Sequence, residues 1–222
     1  INSEIKKEGI ELVEAPDWTG ISAFMNLKCP LIIRLHGTDA YFCHLEGRQQ
    51  KLKNYWFEKL ALKNATKIVS VSKFTAQKTV KLFDIKKAVE VIYNGINTDK
   101  FSVSDYSLIL PNSILYFGSI IRKKGVLELA HIFNEVIKIK PEIRLQLIGK
   151  DVEDIFLKTS TKAKFLELLS EKALNQVDFF EEVPYSDIQS YISKAGVVVM
   201  PSFAEAFPMT WLEAMAMGKA MV

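Results

Sequence analysis

The chain has 222 residues, 49% hydrophobic and 25% charged, with a formal net charge of +3 and a pI near 8.7. These are the proportions of an ordinary folded protein of one or two domains, and so slight a charge decides little about partners. No run approaches the roughly 18 consecutive apolar residues of a membrane-spanning helix, and the opening Ile1-Asn2, followed by charged residues, does not read as a signal peptide; the missing Met predicts a cut start. Cys29 and Cys43 form no C-x-x-C and histidines are few, which predicts reduced thiols and no metal site.

In chain order, strands are predicted over 10–13, 31–35, 67–71, 90–93, 114–117, 144–148, 177–180 and 197–200, with helices over 49–63, 74–83, 126–138, 163–172, 187–194 and 208–217. Continuous apolar runs such as IIRL, ILYF and VVVM suit strands buried on both faces of a parallel sheet. Their alternation with helices predicts βαβ units and a doubly wound α/β fold. The polar, irregular stretch 94–111 predicts a boundary, giving units 1–105 and 106–222, two Rossmann-like halves facing a cleft and each incomplete. No G-x-G-x-x-G and no Walker-type loop occurs, so a dinucleotide dehydrogenase is poorly supported.

Segment 48–63 interleaves Lys51, Lys53, Lys59 and Lys63 with Leu52, Tyr55, Trp56, Leu60 and Leu62. Such a helix can lie on an anionic membrane surface; the alternative is a surface helix whose apolar stripe faces the core.

The last quarter of the chain is the most informative. After strand 197–200 a loop carries Glu205, and the helix opened by Pro208 carries Glu213, eight positions on. Pro suits a helix's first turn, and the free N–H groups there can face an anion, while a carboxylate can accept from two vicinal hydroxyls of a ribose. The alternative is a loop carboxylate and a helical Glu paired with Lys219. Arg122, Lys123 and Lys124, before Gly125 and a helix, read as an anion-binding turn or as a solvated run of like charges. His36, at the carboxyl end of LIIRLHGTD, faces the expected cleft or is a satisfied structural histidine. Thr38 and Asp39 are placed on that same loop, shaping an acceptor site. Arg34 points into the cleft or pairs with an acid, and His44 and His131 read as structural.

The segment AGVVVMPSFAEAFPMTWLEAMAMGKAMV resembles the Glu-x7-Glu region of retaining glycosyltransferases of family 4, which have the GT-B fold. VEVIYNGINTDKF, IVSVSKFTAQ and ILYFGSIIRKKGVLELAHIF resemble further stretches of that family, in family order. The resemblance implies that Glu205 sits by the donor sugar and Glu213 binds the nucleotide ribose. The amides of Phe207, Pro208, Met209 and Thr210 approach sugar and diphosphate, as far as each has an N–H. It makes Lys124 the cation of the diphosphate and His36 the acceptor-side contact to the transferred sugar. Gly118 and Ser119 open the donor loop, where Ser119 replaces the family's Arg and Arg122 stands in for it. Val183, in the loop EEVP, falls in the turn that holds the base, with Glu182 in place of the usual Gly.

The resulting expectation is transfer of a sugar from a nucleotide-diphosphate sugar to a hydroxyl of a saccharide or lipid-linked acceptor, with retained configuration and no metal or other cofactor. Surface polysaccharide or glycolipid synthesis is the expected setting. The location is cytoplasmic, with peripheral contact to an anionic membrane and none with nucleic acid. The alternatives are a sugar-nucleotide epimerase of related fold and a non-catalytic nucleotide-sugar-binding or interaction module.

Overall fold

A computed structural model describes residues 1–103 and 105–222; the stretch read as a boundary includes Ser104, which lies outside the described residues. The chain divides into two units, Ile1–Gly95 with Ala204–Phe207, and Ile96–Phe203 with Pro208–Val222.

In the first unit, β1 (Val13–Pro16), β2 (Leu31–Leu35), β3 (Lys67–Ser70) and β4 (Val89–Val91) form a parallel sheet in that order. Helices α1 (Asn2–Lys7), α2 (Asp39–Glu46), α3 (Leu52–Asn64) and α4 (Lys73–Phe83) accompany it. Its core gathers Leu31, Ile33 and Leu35 of β2 with Ala61, Leu62, Ile68 and Phe83. Two expectations are corrected here. The first strand lies at Val13–Pro16 and not at 10–13, because parallel pairing of Val13 with Leu31 sets its start. Thr38 and Asp39 are not on a loop. Thr38 is buried and caps α2, its hydroxyl accepting from the Tyr41 N–H, the side chain-to-backbone bond that favours Thr at this position.

The second unit holds β5 (Ser113–Phe117), β6 (Arg144–Ile148), β7 (Val177–Phe180), β8 (Val197–Val198) and β9 (Ala220–Met221), all parallel, in the order β7-β6-β5-β8-β9. Helices α5 (Val126–Ile139), α6 (Thr161–Leu168), α7 (Glu171–Leu174), α8 (Ile188–Lys194) and α9 (Met209–Ala216) connect them. Alternate side chains of β5 enter different cores: Tyr116 packs with α5, while Leu115 and Phe117 pack with α8 and α9. This two-sided burial is why the strand reads as an unbroken apolar run. Phe101 is buried in the second of these cores. The single helix expected over 163–172 is two, because the Ser170 hydroxyl accepts from the Ala173 N–H and starts α7 afresh. Only Val197 and Val198 of the strand expected over 197–200 are strand, although Val199 and Met200 continue its hydrogen bonds to Leu115 and Val222.

The chain runs outward from β5 through β6 to β7, then returns to β8 on β5's other side. The carboxyl ends of β5 and β8 therefore border the point where strand order reverses, where open α/β sheets bind ligands.

Candidate functional site

In the first unit, His36 directly follows β2. Its backbone N–H donates to Asp17 Oδ1 and that of Gly37 to Asp17 Oδ2, both at 3.1 Å. Asp17 is 1% exposed, and burial pushes its pKa up to about 7 against the pull of these two N–H groups. The His36 imidazole is held below its usual range, first by desolvation and then by Arg34, with Glu14 opposing. It is therefore neutral near neutral pH. Arg34 pairs with Glu14 through Nε at 2.8 Å and Nη2 at 3.0 Å. Asp39 accepts from Arg48 Nη2 at 2.9 Å and Asn54 Nδ2 at 3.0 Å. With Thr38 and Asp39 so engaged, His36 alone of this expected trio stays exposed.

Glu58, on α3, is fully buried. It accepts from the backbone N–H groups of Thr19, Asp39 and Ala40 and from Gln50 Nε2, so one carboxylate ties α3 to the start of α2 and to the segment after β1. Desolvation raises its pKa. The sequence reading passed over both Asp17 and Glu58. A signal existed for Glu58: it lies three and four positions before the buried Ala61 and Leu62, on one helix face.

The segment Ala204–Phe207 belongs to the first unit. There, three successive carbonyls accept from side chains: Glu205 from Tyr41 Oη at 2.6 Å, Ala206 from Thr75 Oγ1 at 3.4 Å, and Phe207 from Asn94 Nδ2 at 3.1 Å. These bonds fix the backbone that carries the Glu205 side chain.

In the second unit, Gly118 and Ser119 leave β5, and a 3-10 turn of Arg122–Lys124 leads into α5. The Phe203 N–H donates to the Lys123 carbonyl at 3.0 Å. A Cβ on Gly125, at φ +69, would stand 2.0 Å from the Pro201 carbonyl oxygen. The turn bearing Lys124 is thus locked against the segment between β8 and α9. Gly149, at φ +150, is pressed as closely on the Gly118 carbonyl. Ser119 presents no cation, its carbonyl accepting from Tyr116 Oη at 2.7 Å. Arg122 donates from Nε to Asp154 Oδ2 at 2.6 Å and lies 5.4 Å from the Phe156 ring centroid. Burial would raise the Asp154 carboxyl, but Arg122 and the N–H groups of Leu157 and Phe156 hold it below its ordinary range.

Pro208 caps α9, and Met209 and Thr210 form its first turn, whose N–H groups lack intrahelical acceptors. Glu213 is 4% exposed and accepts from Tyr185 Oη at 2.8 Å. Desolvation raises its pKa while Tyr185 opposes; the phenol is itself pushed up to about 12. Lys219 is not its partner: that ammonium donates to the Ser193 and Ala195 carbonyls. Tyr185 stands two positions after Val183 in the loop leaving β7, so this bond joins the Val183 loop to α9. Beside the ends of β6 and β7, a hollow of about 450 Å³ is lined by Gly149, Lys150, Phe179, Phe180 and Glu181 among others.

A cationic turn held against the segment after β8, where strand order reverses, lies where α/β proteins of this kind receive phosphorylated ligands. The sequence matches Glycosyltransferase Family 4 over residues 1–100 and Glycosyl transferases group 1 over residues 110–222; the chain belongs to the group 1 glycosyl transferase family. An uncharacterised glycosyltransferase of Methanocaldococcus jannaschii is 27% identical, the match covering 98% of this chain and 57% of the relative. Sucrose-phosphate synthase from Thermosynechococcus elongatus is similar with a TM-score of 0.78 and 23% identity, over 99% of this chain and 57% of its own. Anabaena HepE, solved with UDP and glucose, gives 0.75 and 19%, over 99% and 61%. The fold is GT-B, and the chain spans 57% to 61% of the length of these relatives.

Proposed function

We propose that the protein transfers a sugar from a nucleotide-diphosphate sugar to a hydroxyl of a saccharide or lipid-linked acceptor, with retention at the anomeric carbon, in the cytoplasm and toward a surface polysaccharide or glycolipid. The observation that carries this reading is the lock between Gly125 and Pro201, which holds the Lys124 turn against the stretch between β8 and α9. Lys124 and the N–H groups of Met209 and Thr210 then take the charge that grows on the departing diphosphate, and this reading gives that task to no metal. Glu213, oriented by Tyr185, accepts from the ribose hydroxyls. The hollow beside β6 and β7, with the Val183 loop, receives the base. Glu205 meets the donor sugar and His36, neutral, hydrogen-bonds the transferred sugar. Arg122 contributes at most its remaining N–H groups, since Nε is committed to Asp154. HepE is described in complex with UDP-glucose, which supports a uridine donor.

The test is calorimetric titration of the full-length protein with uridine diphosphate. Glu213→Ala is expected to weaken binding by about 1–3 kcal/mol, the loss of two ribose hydrogen bonds. Equal affinity in the variant overturns the ribose assignment. Release of an isomerised sugar nucleotide without acceptor identifies an epimerase, and absence of any thermal protection by nucleotide sugars identifies a non-catalytic module.

A further inference from the structure

The segment after β1 and helix α3 lie side by side in the first unit. The backbone at Gly20 is pressed on that of Phe57 and Glu58, Asn64 Nδ2 donates to the Ala23 carbonyl at 3.0 Å, and the Phe24 and Phe57 rings meet edge-to-face at 5.0 Å. On this joined surface Trp18, Ile21, Phe24, Leu52 and Trp56 are each 60% to 77% exposed. Isolated exposed apolar residues need no explanation, but large ones gathered on two packed elements do.

The two segments themselves expose charge of one sign. Lys51, Lys53, Lys59 and Lys63 punctuate α3 and Lys28 ends the neighbouring segment. The only acid within 18–28 and 51–64 is Glu58, which is fully buried and turned onto backbone N–H groups. Basic heads also sit beside apolar tips: Lys53 Nζ is 5.3 Å from the Phe57 ring centroid and Lys59 Nζ 5.6 Å from that of Trp56. Asp84, exposed near Lys59, pairs with Lys86; tryptophan and other large apolar tips among lysines, on segments that expose no acid of their own, match the boundary between acyl chains and anionic headgroups. A second copy docked through this face would set lysines against lysines.

We infer that the face formed by Trp18–Phe24 and α3 docks on an anionic lipid surface, with Trp18 and Trp56 entering the headgroup layer and the α3 lysines meeting lipid phosphates. This binding needs neither donor nor acceptor, so its test stands apart from that of sugar transfer.

Full-length protein is sedimented with vesicles of phosphatidylcholine alone or mixed with phosphatidylglycerol, across a salt series, and its tryptophan emission is recorded. The wild type is expected to bind the mixed vesicles, less at high salt, with a blue-shifted emission. Lys51→Gln with Lys53→Gln weakens binding by about thirtyfold at low salt, from about fivefold per lysine. Trp18→Ser with Trp56→Ser removes the blue shift and most of the binding, and Leu52→Gln gives an intermediate loss should that pair fail to fold. Failure of the wild type to sediment overturns the inference, as does unchanged sedimentation of all three variants. Shielding of Trp18 and Trp56 from acrylamide before lipid is added also overturns it, assigning the face to the rest of the chain or, if mass rises with concentration, to a second copy.

Discussion

At the carboxyl end of β2 the backbone of His36 and Gly37 is fixed by a buried carboxylate, and Glu58 does the same for the start of α2. At the carboxyl end of β5 the corresponding backbone is fixed by glycines pressed on neighbouring main chain, Gly125 on Pro201 and Gly149 on Gly118. Both arrangements hold a turn at the carboxyl end of a strand. The first is electrostatic and answers to protonation; the second is steric and does not. A catalytic turn can therefore be made rigid by acceptors placed under it or by the absence of side chains within it, and the two leave different signatures in mutants.

The steric turn should give the largest effect. Gly125→Ala places a methyl 2.0 Å from a carbonyl oxygen at a positive φ, and a loss of about 4 kcal/mol or more is expected in denaturant unfolding, with little change between pH 5 and 8. Next comes Glu58→Ala, which leaves three backbone donors without their acceptor; about 3 kcal/mol should be lost.

Asp17→Asn separates the two kinds of turn by pH. The folded pKa of Asp17 is raised to about 7, above its unfolded value, so the folded state holds the proton more tightly. That contribution is fully present below about pH 4 and is lost as pH rises through about 7. Unfolding curves across this range should show wild-type stability falling by about 4 kcal/mol relative to the Asn variant, then running parallel above it. A flat difference would mean that Asp17 does not titrate there and that the contrast between the turns is not one of protonation.

The smallest effect is expected at Tyr185→Phe, about 1 kcal/mol for one partly exposed hydrogen bond. Because Tyr185 opposes the desolvation that raises Glu213, the acid limb of nucleotide binding should move to higher pH in this variant, as titrations at several pH values would show.

Much of this molecule was readable in the residues. The segments of β2, β6 and β7 give strands at the predicted bounds, 31–35, 144–148 and 177–180, because each is paired in parallel with a neighbour along nearly its whole length. Elements whose ends depend on a partner were harder. Val13–Pro16 takes its register from β2, and β8 stops after Val198. Helix α2 is set by a Thr38 cap that resembles any loop threonine. Along the sequence, Lys124, Glu205 and Glu213 stand out as charges in a recognisable order, whereas Asp17 and Glu58 act through backbone partners 18 to 39 positions away and Tyr185 through one 28 away, a separation that no local spacing displays.

Periodicity and chain-order motifs were enough to establish parallel α/β units of the GT-B kind and to single out the residues proposed to meet phosphate and ribose, since these depend on side-chain type at short range. Which carboxylates are spent inside the fold, which lysines remain around the exposed tryptophans, and that Arg122 is drawn to Asp154 while Lys219 turns to carbonyls, followed from packing alone. Burial makes an unpaired charge costly, so each buried ionic group takes whatever partner the folded chain brings within reach.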